Sequence, residues 1–165
     1  MKAKLKKHIK EILSFTLILF ITLNVVSYFR SSDLNKSNLK ESSFILVDGS
    51  TYTIDKTRPL LIHFWATWCP VCKIEASNID KLSKNYNVLT IAVQEKSKEE
   101  IVNYMKENNL SYKVVDDHNG NLAREFNISV YPTSFIYNSY GELEFSEVGY
   151  TSTLGLKLRM LLASF

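Results

Sequence analysis

The chain holds two cysteines, Cys69 and Cys72, in the run Trp68-Cys69-Pro70-Val71-Cys72. Two thiols three residues apart on the first turn of a helix can close a disulfide with little rearrangement. Pro70 suits the first helical position, where its missing N–H would have had no partner. Cys69 then sits at the helix N-terminus, where unpaired amides and the helix dipole favour a thiolate. A thiolate is the attacking group of thiol–disulfide exchange, so the pattern predicts redox chemistry with Cys69 attacking. Cys72, one turn further in and more buried, is the expected resolving thiol. The Cys69–Cys72 disulfide would itself be the redox group, and no organic cofactor is implied.

Other uses of the pair have to be weighed. A purely structural bridge closing so short a loop would stabilise little. A zinc site needs four ligands, and the only histidines are His8, His63 and His118. A copper(I)-binding module is the remaining alternative, since two thiolates can hold that soft ion at two-coordinate geometry.

The elements that must position the cysteines follow from pattern. Leu60 to Trp65 is a continuous apolar stretch broken only by His63 and reads as a buried central strand. Upstream, FILVDGSTYTI gives two strand-like runs around Asp48-Gly49, a hairpin signal. Downstream, Val71, Ile74, Ile79 and Leu82 recur at near-helical spacing. A strand over 88–93, a helix over 97–109 carrying Ile101, Val102 and Met105 on one side, and a strand over 112–115 come next. A small helix with Leu122, Ala123 and Phe126 leads to strands 133–137 and 143–148, which flank Asn138-Ser139-Tyr140-Gly141. The closing helix is expected to bury a face made of Leu154, Leu158, Leu161, Leu162 and Phe165. From residue 60 the order is β-α-β-α-β-α-β-β-α, an α/β domain with a mixed central sheet flanked by helices.

The N-terminus has a different character. Ile12 to Phe29 is uncharged over eighteen residues and follows Lys2, Lys4, Lys6, Lys7 and Lys10. At about 1.5 Å per residue it nearly crosses a hydrocarbon core of about 30 Å. Basic residues stay cytosolic, so the rest of the chain should lie on the extracytoplasmic side of the cytoplasmic membrane. The run leaves through Val26-Ser27-Tyr28-Phe29-Arg30 without a small-x-small cleavage pattern, so an uncleaved signal anchor is expected. The predicted organisation is a basic cytosolic segment 1–10, a transmembrane anchor 11–29, a polar linker 30–42 and the α/β domain 43–165. From residue 31 onward, 14 Lys+Arg stand against 16 Asp+Glu, a balance of −2 with no basic stripe, which excludes nucleic acid as a partner.

LLIHFWATWCPVCKIE resembles the active-site segment of the thioredoxin superfamily, and more closely that of the membrane-tethered TlpA/ResA-like branch. Ile128-Ser129-Val130-Tyr131-Pro132-Thr133 and the tail GYTSTLGLKLRMLL resemble the suppressor-of-copper-sensitivity D type of disulfide oxidoreductase. The likeness covers about residues 43–165 together with the anchor architecture. It implies a thioredoxin-like fold with an added helix–strand segment near 97–116 and an N-terminal β-hairpin. It also implies that Pro132 is a cis-proline facing the dithiol, that Tyr131 lines a groove for the substrate chain, and that Trp68 flanks the site. Protein thiols and disulfides would be the substrates, with electrons exchanged with a second, membrane-embedded redox protein. Copper-stress tolerance or cytochrome c maturation would be the setting. Glu75 stands where that branch carries a glutamate after its cysteines, either orienting the active-site loop or lying on the helix surface. His63 departs from thioredoxins, which hold a buried acid on this strand. With an ordinary pKa of about 6.5 it could take the proton of Cys72, or it could be a neutral core histidine.

Overall fold

The computed structural model describes residues 8–18, 21–22 and 33–165, and the chain divides into two compact units, Met1–Asp33 and Leu34–Phe165. In the first unit residues 8–18 and 21–22 are helical, with Ile12, Leu13, Phe15, Leu17 and Ile18 exposed. Among the described residues no helix is long and apolar enough to cross a membrane. The remainder of the expected span, 19–20 and 23–29, lies outside the described residues.

The second unit begins at Leu34, earlier than the expected boundary at residue 43. Leu34 is buried among Phe44, Phe64 and Phe126. Asn35 donates from its backbone to the carbonyl of Phe126 (3.1 Å) and from Nδ2 to that of Glu125 (2.9 Å). Leu39 N–H donates to Gly141 (3.0 Å). The stretch expected to be a free linker is therefore docked on the domain at Leu34, Asn35 and Leu39, where one buried leucine and backbone pairing outweigh its polar composition.

The strands are β1 (Ser43–Ile45), β2 (Thr51–Thr53), β3 (Leu60–Trp65), β4 (Asn87–Val93), β5 (Lys113–Asp117), β6 (Thr133–Tyr137) and β7 (Leu143–Val148). The helices of this unit are α1 (Pro70–Ser83), α2 (Lys98–Glu107), α3 (Asn121–Glu125) and α4 (Thr153–Leu162). β1 and β2 form the hairpin expected around Asp48-Gly49, Gly49 taking the positive φ of 84° that the turn needs. The main sheet runs β5-β4-β3-β6-β7. β3 pairs parallel with β4 and antiparallel with β6, so the sheet is mixed.

β3 lies at its centre and all six of its residues are buried. Alternation sends Leu61 and Trp65 into one core with Cys72, Ile79, Leu156 and Met160. Leu60, Ile62 and Phe64 enter the opposite core with Leu89, Phe126 and Phe135. Burying a side chain such as Leu61 or Ile62 stabilises by about 1.5–3 kcal/mol. Packing on both faces explains why the strand reads as a continuous apolar run rather than an alternating one.

Three helix faces differ from expectation. On α1 the inward residues are Cys72, Glu75, Ala76, Ile79, Asp80 and Leu82, whereas Val71 and Ile74 are exposed. On α2 only Ile101 is buried, and Val102 is 48% exposed. On α4 the buried stripe is Leu156 and Met160, continued by Ala163, while Leu154, Leu158, Leu161, Leu162 and Phe165 face outward. α4 is apolar nearly all round, so periodicity admits two stripes. The residues at its start decide between them: Thr151 N–H, just before the N-cap, donates to Glu75 Oε1 (3.0 Å) and Thr153 Oγ1 to Asn78 Oδ1 (2.8 Å), which sets the rotation of α4 on α1.

Candidate active site

The dithiol stands where β3 ends and α1 begins. Cys69 is the N-cap of α1, in extended conformation, with Pro70 in the first turn. Its Sγ accepts the backbone N–H of Cys72 at 3.2 Å. The two cysteines are joined as a disulfide with Cα atoms 5.3 Å apart. Both are buried, Cys72 at 2% exposure and Cys69 at 5%. When the bond is reduced, a charge on Cys69 Sγ meets that same N–H and the positive end of a 14-residue helix. Cys72, enclosed within the core one turn further along α1, lacks the helix-terminus position that Cys69 holds.

The rim is built by two loops. Trp68 is 54% exposed beside Cys69. Its ring meets that of Tyr131 edge to face, with centroids 5.6 Å apart. The Tyr131–Pro132 peptide is cis. The carbonyl of Pro132 accepts Gly149 N–H (2.8 Å), and Thr133 Oγ1 closes the loop on Val130 (2.8 Å). Trp68 and Tyr131, far apart in sequence, thus form one aromatic edge next to the buried disulfide.

Glu75 is not on the helix surface: it is fully buried, one turn past Cys72 on the inward face of α1. Only one carboxylate oxygen has a partner, the Thr151 amide, and Oε2 has none. Burial, with the charge of Glu147 as a smaller contribution, pushes its pKa up to about 8 against the pull of the Thr151 hydrogen bond. Glu75 is therefore mostly protonated at neutral pH.

His63 is also buried, on the face of β3 shared with Leu61 and Trp65, as strand alternation requires. Its Nδ1 is 2.9 Å from Oγ of Ser134, the residue paired with it across β6. Burial drives its pKa down to about 3. A ring that weakly basic stays neutral across the physiological range and is a poor acceptor for a thiol proton.

One buried acid at the site escaped the sequence reading. Glu95, just past β4, directs both carboxylate oxygens at Thr67, two residues before Cys69. Glu95 belongs to no motif, and its meeting with Thr67, which lies in the LLIHFWATWCPVCKIE segment, depends on the parallel pairing of β3 with β4. Among the described residues no group of three or more His, Cys, Asp or Glu side chains could hold a metal ion.

Residues 34–146 match the family described as AhpC/TSA. A thioredoxin-like protein of Haemophilus influenzae is 29% identical over 98% of each chain. The thiol-disulfide oxidoreductase ResA of Bacillus subtilis is 28% identical over 76% of this chain and 78% of its own. Among solved structures, a thioredoxin-family thiol:disulfide interchange protein from Chlorobium tepidum superposes with a TM-score of 0.69 at 27% identity, over 78% of this chain and 97% of that one. The Chlorobium tepidum structure shares the mixed-sheet α/β fold described above. The chain belongs to the AhpC/TSA family, and it is a thioredoxin-like thiol–disulfide oxidoreductase.

Proposed function

We propose that the protein exchanges disulfides with protein thiols on the extracytoplasmic face of the cytoplasmic membrane, held there by residues 11–29. The observation that carries the protein-substrate reading is the aromatic edge of Trp68 and Tyr131 beside a dithiol capped by a helix N-terminus. An extended protein segment can lie along such an edge. In the reducing direction the Cys69 thiolate attacks one sulfur of a substrate disulfide. The substrate S–S bond breaks and the departing thiolate takes up a proton. Cys72 then gives up its proton and attacks Cys69 Sγ, which releases the second substrate thiolate and forms the Cys69–Cys72 disulfide. Two electrons pass to the substrate, and a membrane-embedded partner returns them by the reverse steps. Glu75, one turn past Cys72 on the inward face of α1, would help orient the active-site loop. Copper-stress tolerance and cytochrome c maturation are the settings that the sequence resemblance supports.

The anchor reading rests on the uncharged run and its upstream lysines, and docking of the chain from Leu34 onward adds a constraint. Only residues 30–33 separate the end of the run from the domain, about 14 Å when fully extended.

The test is trapping. Cys72→Ser in the full chain should accumulate mixed disulfides with extracytoplasmic proteins, recovered from the membrane fraction with residues 1–10 intact by mass spectrometry. Equal trapping by Cys69→Ser would refute the assignment of Cys69 as the attacking thiol. A new N-terminus near residue 30 would remove the anchor. A stable copper(I) complex with no turnover of protein disulfides would replace exchange by metal delivery.

A further inference from the structure

We propose that Glu95 is a positioning residue of the exchange reaction: clamped on Thr67, its carboxylate fixes the loop that carries Cys69 and sets a negative charge two residues from the attacking thiol, which makes the protein more reducing. The proposal rests on Cys69 being the attacking thiol.

The geometry is specific. Glu95 is 2% exposed although it lies outside any helix or strand. Its Oε1 accepts the backbone N–H of Thr67, and its Oε2 accepts the Thr67 hydroxyl at 2.5 Å. One carboxylate thus holds a single residue by both main chain and side chain, an arrangement that restrains position and rotation together. Gln94 before it adopts a left-handed φ of 54° and donates its N–H to Asp117 (3.2 Å), which turns the chain leaving β4 back towards the β3–α1 loop. Nδ1 of His118 lies 2.8 Å from the Glu95 carbonyl, so the β5–α3 loop braces the same point. Three loops at the carboxyl end of the sheet are joined through Glu95.

From Thr67 the chain needs two residues to reach Cys69, at most about 7.6 Å between Cα atoms. Ala66 accepts the Cys69 N–H at 3.2 Å, which folds that segment tightly. Trp68, between the two, presses on Tyr131. A clamp on Thr67 therefore sets both the thiol and one wall of the aromatic edge. Glu95 sits among other acids and phenols: Glu100, whose Oε2 accepts Lys96 N–H, Asp116 and Tyr104. Burial, and the charges of Glu100 and Asp116, push its pKa up against the two Thr67 bonds. Among the described groups around it no cation is paired to its carboxylate, so its charge is felt by the neighbouring thiol.

A fixed anion disfavours a second anion nearby. It raises the cost of the Cys69 thiolate, destabilises the reduced form and lowers the reduction potential. For unit charges ~10 Å apart at an effective dielectric of about 20, the effect on the exchange equilibrium is on the order of tenfold.

The experiment uses the full chain in detergent. The Cys69–Cys72 couple is equilibrated with glutathione at pH 7, and the alkylation rate of the reduced protein is followed across pH with the labelled cysteine identified by mass. Glu95→Gln should move the equilibrium about tenfold towards the dithiol, about 30 mV less negative, and alkylation should set in at lower pH. Thr67→Val loses the hydroxyl bond but keeps the charge and the N–H bond, and should shift the equilibrium less than about threefold. Glu95→Asp keeps the charge and should also stay within that range, which preserves a test if the Gln variant folds poorly. The gap between parent and Gln variant should close as falling pH protonates Glu95. Unchanged potential and alkylation in Glu95→Gln, or an equal shift in Glu95→Asp, overturns the proposal. First labelling at Cys72 in the parent would instead overturn the cysteine assignment and leave the potential comparison intact.

Discussion

Replacing Glu75 by Gln should stabilise the oxidised protein at neutral pH, and by more as the pH rises. The carboxyl has an ordinary pKa of 4.5 and is pushed by burial to about 8 in the fold. Between those values the native state holds a proton that the unfolded chain has released. Stability therefore falls with rising pH, by up to 1.36 kcal/mol per unit. The penalty is absent below pH 4.5, reaches about 3 kcal/mol at pH 7 and levels off above pH 8 at about 5 kcal/mol. Glutamine keeps an acceptor for the Thr151 amide and never ionises, so it escapes the penalty. At pH 7 the gain is on the order of 10 °C in melting temperature. His63 has the opposite slope: its ordinary pKa of 6.5 drops to about 3 in the fold, so it stabilises as pH rises from 3 to 6.5. The two offset each other between pH 4.5 and 6.5, and above that window the Glu75 decline is no longer opposed by His63. Urea denaturation of parent and Glu75→Gln from pH 4 to 9 isolates the Glu75 contribution as a difference curve, with the disulfide intact so that the thiols do not titrate. A constant difference across that range would refute the buried, protonated carboxyl.

Leu156→Ala, at a fully buried position, should cost about 2–5 kcal/mol. Leu158→Ala, on the exposed side of the same helix, should cost less than about 1 kcal/mol, and the reverse ranking in urea melts would restore the sequence-based face. His63→Phe should leave the pH dependence of mixed-disulfide resolution unchanged from pH 6 to 9 in stopped-flow, because the ring does not titrate there. A slowed variant that recovers as pH rises would make His63 the base for Cys72. Asp117→Ala removes the carboxylate that accepts the N–H groups of Leu122 (3.1 Å) and Ala123 (2.9 Å) at the start of α3. It should cost about 1–2 kcal/mol in the same melts.

Much of the site was legible because its chemistry is local. The Cys69-Pro70-Val71-Cys72 spacing specifies a helix start, and a helix start supplies the amides and dipole that a thiolate needs. The apolar run of β3 and the alternation of strands with helices carry the mixed sheet in the same way, since periodicity records which faces are buried. What periodicity cannot record is rotation among equivalent faces. α4 offers leucines on two sides, and only the bonds from Thr151 and Thr153 to Glu75 and Asn78 determine that Leu156 and Met160 turn inward. The same docking takes Glu75 out of water and turns an ordinary helical glutamate into a carboxyl that keeps its proton at pH 7. Leu34 and Asn35 read as linker because their partners at Phe126 and Glu125 lie some ninety residues away. Glu95 and Thr67, 28 positions apart, meet only because β3 and β4 run parallel and end side by side. The sequence by itself therefore determined which bond is made and broken. The tertiary structure decided which buried charges surround that bond, because burial and proximity between distant segments are properties of the packed chain and leave no periodic trace in the residues themselves.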